Sequence, residues 1–124
     1  MQLRIRVLPQ RCAVCRLAPD APIPEWARGA FVSVTRTAAE LSVVCDEAGV
    51  PADVAAQRGW RALEVEGPIP FETTGVAAAI VSPLAEAKLS VFMVATFDTD
   101  YVLVKAESLD DALAALKRAG IEIA

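Results

Sequence analysis

The sequence predicts an α+β fold made of two ferredoxin-like units, each βαββαβ in plan, the first of them degenerate. Three observations predict it. Residues 60–123 read in the order strand, helix, strand, strand, helix, strand. The first half repeats part of that order, with no gap, sixty residues earlier. Three prolines, Pro19, Pro22 and Pro24, fall between Ala18 and Ala27 and forbid a regular helix where the first copy would need one. The expected division is residues 1–59 for the degenerate unit and 60–124 for the complete one.

In the second half, Trp60-Arg61-Ala62-Leu63-Glu64-Val65-Glu66 alternates apolar and polar residues, a half-buried strand stopped by Gly67-Pro68. A proline-containing loop leads to a helix over Gly75–Ala87, with Val76, Ile80, Val81 and Leu84 as its core stripe and Pro83 inside it. Ser90–Thr96 and Asp100–Lys105 are strands about the turn Phe97-Asp98-Thr99. The last helix is the best marked. Ser108 stands at its N-cap with Asp111 three residues on, and Leu109, Ala112, Leu113 and Leu116 make its apolar stripe. Lys117 and Arg118 occupy its last turn and Gly120 is a ready C-cap before the short strand Ile121-Glu122-Ile123.

In the first half, Val32-Ser33-Val34-Thr35 falls on Phe92-Met93-Val94-Ala95 at the offset of sixty. Glu40-Leu41-Ser42-Val43-Val44 likewise falls on Asp100-Tyr101-Val102-Leu103-Val104, so Glu40 matches Asp100. A short second helix is expected from Ala52 to about Gln57.

Composition narrows the function. The chain has 124 residues, 55% of them hydrophobic, which is ample for a core. No apolar run is long enough to span a membrane and the N-terminus is not a signal peptide, so a cytoplasmic protein is expected. Residues 1–60 carry a charge of +1 and residues 61–124 carry −5, with no basic stripe for nucleic acid.

Catalysis has little to work with. There is no histidine, so the commonest general base and every triad built on it are missing. No P-loop or GxGxxG is present. Cys12-Ala13-Val14-Cys15 spells CxxC, but i and i+3 of a strand face opposite ways, and with no histidine and Cys45 the only other cysteine a zinc site lacks ligands. Buried thiols, with no metal, no cofactor and no enzyme activity, are expected.

Two segments invite a ligand. Thr73-Thr74-Gly75-Val76 opens a helix, where a threonine is ordinarily just an N-cap; the same helix start offers free N–H groups to a carboxylate. Thr96-Phe97-Asp98-Thr99-Asp100 is ordinarily a polar hairpin turn. Phe97 is the awkward member, because an aromatic ring in such a turn must cover something.

Together Glu66–Ala78, Pro83–Ala87 and Ser90–Val104 resemble an ACT domain, and are most similar to the ACT units of aspartate kinases and of the cytosolic arginine sensors named CASTOR. The resemblance is specific over residues 60–123 and weaker over 1–59. It implies two ACT-type units and a regulatory module that binds an amino acid at an interface between units. It places the ligand backbone on Thr73, Thr74, Gly75 and Val76, lines the pocket with Thr96, Phe97 and Asp100, and sets Asp100 against a positive group. Ser90 and Val91 match the segment that a neighbouring unit contributes. Asp98 matches a position that varies in the family. The chain lacks the kinases' catalytic domain and has half the sensors' length, which implies a homodimer and a separate regulated protein. The alternative is an interaction or structural subunit that keeps this fold without a ligand.

Overall fold

The structure is a computed structural model that describes residues 2–124. Its elements are β1 (Arg4–Leu17), β2 (Ser33–Arg36), β3 (Leu41–Asp46), β4 (Ala55–Val65), α1 (Val76–Glu86), β5 (Val91–Ala95), β6 (Asp100–Lys105), α2 (Leu109–Arg118) and β7 (Glu122–Ile123). The chain divides into two compact units. A C-terminal unit joins residues 61–124 to the N-terminal segment ending at Pro9, and an N-terminal unit spans Gln10–Trp60.

The C-terminal unit has the expected β-α-β-β-α-β order, but its sheet departs from the ferredoxin-like plan. Its strands lie in the order β7-β1-β4-β6-β5, so the N-terminal strand sits between the unit's first and last strands. Strand β7 pairs with β1 in parallel, Arg4 opposite Glu122 and Ile5 opposite Ile123. The cause is written in Leu3-Arg4-Ile5-Arg6-Val7. Leu3 and Ile5 are buried in the core with Leu63, Val65, Ile80 and Leu116, and Val7 packs against it. On the other face Arg4 pairs with Glu66 and Glu122, and Arg6 with Glu64. Burying one Ile or Leu contributes about 1.5–3 kcal/mol, whereas a half-exposed ion pair gives about 0–1. Burial therefore holds the strand, and the ion pairs select its register.

Helix α1 buries Val76, Ile80 and Leu84, while Val81 is only half-buried. Pro83 leaves the Ala79 carbonyl without a helical donor. Helix α2 buries Ala112, Ala115 and Leu116, with Leu109 and Leu113 at the core's margin. Ser108 holds the N-cap position, yet its side chain makes no capping hydrogen bond. A 3₁₀ turn over Ala106–Ser108 runs straight into the helix, and it leaves Ser108 at ψ 5°, away from the extended backbone a side-chain cap needs.

Both helices end in Schellman turns. After α2, Ile121 N–H donates to Leu116 O and Gly120 N–H to Lys117 O, with Gly120 left-handed at φ 87°. After α1, Leu89 N–H donates to Leu84 O and Lys88 N–H to Ala85 O. Here the left-handed residue is Lys88, at φ 61°.

The N-terminal unit has its strands in the order β2-β3-β1-β4 and no α-helix among the described residues. As its prolines require, 18–31 is irregular chain, and Ala21, Trp26 and Ala27 from it pack on a core of Ala13, Cys15, Leu41, Val43, Cys45 and Val50. Arg36 ties this segment down through the carbonyls of Pro19 and Ala21. The short helix expected over 52–57 is not formed. A turn after Pro51 leads into β4 at Ala55, where strand pairing overrides the helix preference of two alanines.

Cys12, Cys15 and Cys45 are all buried, and no disulfide joins Cys12 to Cys15. Cys15 lies in the core with Cys45; Cys12, an odd number of residues away on β1, faces the other side. Burial pushes the Cys15 thiol up from its ordinary range. Cys45 is pushed up to about 12, mainly by burial and then by its neighbour Cys15. Among the described residues, no three of the acids and cysteines group as a metal site would require.

The hairpins β2–β3 and β5–β6 repeat each other at an offset of 59, one less than the pattern of apolar residues suggests. Arg36 pairs with Leu41 and Ala95 with Asp100. In the turns, Thr37 N–H donates to Glu40 O and Thr96 N–H to Thr99 O. Each threonine hydroxyl also accepts the N–H three residues on, from Glu40 and from Thr99. Asp100 thus matches Leu41, and Glu40 matches Thr99.

Two predictions follow from these positions. Lys88→Gly removes the steric cost of a left-handed side chain and gives back part of it as backbone entropy, for a gain of about 0.5–1 kcal/mol. The melting temperature should rise by about 2–4 °C, read by circular dichroism. At high pH the unfolded Cys45 thiol ionises near 9.0 while the folded one keeps its proton to about 12. The unfolded state then binds fewer protons, so stability is full below pH 9 and falls as pH rises through that window. Urea unfolding at pH 8 and pH 10 should show the loss, and Cys45→Ala should make it shallower.

Candidate functional site

Strand β4 ends at Val65, and the loop after it turns back across the tip of the β5–β6 hairpin. Gly67 is the point of closest approach. A Cβ there would stand 3.1 Å from Ile69 N, 3.2 Å from Asp98 O and 3.2 Å from Thr99 Cβ. Ile69 N–H donates to Asp98 O at 2.8 Å, and Thr99 Oγ1 donates to Val65 O at 2.6 Å. Within the turn, Thr96 Oγ1 donates to Thr99 O at 2.9 Å. The loop and the turn are therefore held against each other by backbone and threonine groups, and neither is free to swing alone.

The loop closes with a turn in which Thr73 N–H donates to Pro70 O. Gly75 then takes a left-handed conformation, φ 83°, and α1 begins at Val76. A side chain at Gly75 would meet no atom within 4 Å, so glycine is required here for its backbone and not for space. No side chain caps the helix, and the N–H groups of its first turn lie before the first helical bond, from Ala79 to Gly75 O. Thr74 is therefore not the N-cap that a threonine before a helix ordinarily is.

Between this helix start and the hairpin tip lies a cleft of about 200 Å³. Five of the residues singled out in the sequence line it: Thr73, Val76, Thr96, Phe97 and Asp100. Asp98 lines it too. Thr74 and Gly75 stand beside it at the helix start and are not part of its wall. Ser90 and Val91 are at the far end of β5 from the cleft, and Val91 packs on the core.

Ile69, Pro70, Phe71, Ala95 and Thr99 complete the wall and were not picked out from the sequence. Phe71 and Phe97 are 77% and 83% exposed, with ring centroids 5.7 Å apart. The reasoning that singles out Phe97, an aromatic ring in a polar turn, applies equally to Phe71 in Pro70-Phe71-Glu72-Thr73. The wall holds two carboxylates and no basic side chain. Such a cleft can accept a positive group at Asp98 or Asp100 and a carboxylate at the helix start.

Behind the cleft, Tyr101 donates its hydroxyl proton to Glu64 at 2.6 Å. That hydrogen bond first, and burial second, push the phenol up to about 12. Tyr101 is thus an uncharged anchor for Glu64, which also holds Arg6 of β1.

No helix among the described residues is long and apolar enough to cross a membrane. Residues 55–118 match the family model of the ACT domain, and a second model, of an N-terminal domain, matches residues 10–53. The chain is 30% identical over 107 residues to subunit 1 of the cytosolic arginine sensor for mTORC1 from Bos taurus, covering 77% of this chain and 32% of that protein. It therefore spans about a third of that relative's length, and not the half that the resemblance implied. Among solved structures, an Agrobacterium tumefaciens protein superposes with a TM-score of 0.94 at 35% identity, over 100% of this chain and 93% of that one. The regulatory subunit of aspartate kinase from Thermus thermophilus superposes at 0.65 and 14% identity, over 93% and 96% of the two chains, which is a likeness of fold. The Bos taurus relative is a sensor subunit and the Thermus thermophilus chain a regulatory subunit. With a family model matched over more than half its length, the chain belongs to the ACT domain family.

Proposed function

We propose that the chain is a cytoplasmic regulatory module of two ACT-type units, the N-terminal one degenerate, that binds an amino acid and has no catalytic activity of its own. The observation that carries this is the cleft itself, which sets an uncapped helix start opposite a hairpin tip bearing Asp100. A free amino acid carries the complementary pair of charges. Its carboxylate meets the N–H groups of the first turn of α1, beside Thr73, Thr74 and Gly75. Its ammonium, or a cationic side chain, meets Asp100, and Phe97 and Phe71 cover the remainder. The arginine sensor among the relatives makes arginine the first ligand to try.

The ligand-holding assembly in this reading is a homodimer. Helix α1 leaves Ala77, Ala78 and Ala85 exposed, an apolar surface suited to close packing against a second copy. Ser90 and Val91 of that copy would then complete the pocket, and a separate protein would receive the regulatory signal. The exposed Phe71–Phe97 pair favours one other reading, an interaction subunit that docks a protein there and binds no amino acid.

A thermal-shift series over the twenty amino acids separates the two. At one hundred times its dissociation constant a ligand adds about 2.7 kcal/mol of stability. The Asp100 side chain makes no hydrogen bond or ion pair among the described residues, so its charge is available to a ligand. Asp100→Asn should leave the melting temperature of the empty protein unchanged and weaken the ligand found in the series by about tenfold to a hundredfold, the loss of one charge-assisted hydrogen bond. Calorimetry showing equal affinity in the variant would remove Asp100 from the site. A series in which no amino acid moves the melting temperature would leave the interaction subunit.

A further inference from the structure

A hollow larger than the cleft, a groove of about 420 Å³, lies between the C-terminal halves of α1 and α2. Pro83, Ala87, Ala115 and Ala119 line it with side chains too short to fill it, and Glu86 and Arg118 stand on it with opposite charges. Neither forms an ion pair among the described residues. Glu86 is also the only charged residue in the eleven of α1, and Ser82 completes the helix's side of the groove.

A face that carries one acid and one base beside an apolar hollow is self-complementary under a two-fold axis: each residue meets its opposite on the other copy. The long apolar stem of an arginine is also the right shape for such a hollow, with its charged head kept at the edge. We propose that this groove is a contact between two copies of the chain. In it, the Arg118 stem of each copy lies over Ala87, Ala115 and Ala119 of the other, and its guanidinium pairs with the other copy's Glu86. An unrelated partner would have no reason to match both charges at once.

This contact lies at the opposite end of α1 from the amino-acid cleft, roughly 16 Å along an eleven-residue helix. Its charged pair is remote from the cleft, so the cleft's own groups are left intact when that pair is changed. Charge swaps test it. Light scattering of the full chain at low salt should show that Arg118→Glu and Glu86→Arg each halve the assembly mass relative to the unmodified protein. The double variant carrying both changes should restore it. Both residues are exposed, so circular dichroism should show the single variants folded. Single variants that keep the original mass overturn the proposal, as does a double variant that stays at half mass or an unmodified protein that is already monomeric. The amino-acid thermal shift measured on Arg118→Glu reports on the cleft alone, so a failure of either reading is visible without the other.

Discussion

The insertion of the N-terminal strand between β4 and β7 is the constraint on which the C-terminal unit depends. Without Leu3, Ile5 and Val7 the core under α1 and α2 loses a whole strand of apolar side chains. Without that strand β7 also has no pairing partner, because its ladder is with β1 and not with β4. Glu66 N–H donates to Arg4 O, and Glu122 N–H and Ala124 N–H donate to Leu3 O and Ile5 O, so the same few residues close the sheet on both sides. The unit that holds the cleft is therefore made from two distant parts of the chain, and it is completed only when the N-terminal segment ending at Pro9 has joined residues 61–124.

That dependence reaches the cleft through Glu64. One oxygen of its carboxylate accepts from Arg6 on β1 and the other from Tyr101 on β6. Tyr101 follows Asp100 at the mouth of the hairpin, and Thr99, one residue earlier, donates to Val65 O at the end of β4. The hairpin tip is thus referenced to the sheet by the hydrogen bonds of Thr99 and Tyr101, with Asp100 between them. Alternation along the strand turns Asp100 the other way, toward the cleft. A carboxylate with no side-chain partner among the described residues is thus flanked by neighbours that have theirs.

Much of this was legible in the residues, and the failures have identifiable causes. Alternation located β4, β5 and β6, and the apolar stripes located α1 and α2, because half-buried strands and surface helices leave those periods in the sequence. The place of β1 in the sheet was not legible. Its alternation marks a strand, but nothing local says which neighbours it will pair with, and the matching acids at 64, 66 and 122 are far away in sequence. The cleft was half legible for a similar reason. Thr73, Val76, Thr96, Phe97 and Asp100 belong to segments with turn or helix-start chemistry, whereas Ile69, Pro70 and Phe71 reach it only because Gly67 allows the loop to close on the hairpin.

The one-residue error in the repeat is the more instructive failure. Alternation would penalise a one-residue slip, but Val43-Val44-Cys45 and Val102-Leu103-Val104 are unbroken buried apolar runs, so an offset of sixty looks as good as 59. Hydrogen bonding in the turns does distinguish them: Thr37 and Thr96 play the same part, accepting the N–H three residues on. With the hairpins aligned that way, Ala38 and Ala39 stand where Phe97 and Asp98 stand, and Leu41, fully buried, stands where Asp100 faces the cleft. The N-terminal unit thus keeps the scaffold of the hairpin, with alanines in place of Phe97 and Asp98 and a buried leucine in place of Asp100, and its own tip carboxylate, Glu40, stands at the position of Thr99. Its tip lacks the ring and the two carboxylates that face the cleft in the C-terminal unit, so in the proposed reading the groups that hold an amino acid belong to the C-terminal unit alone.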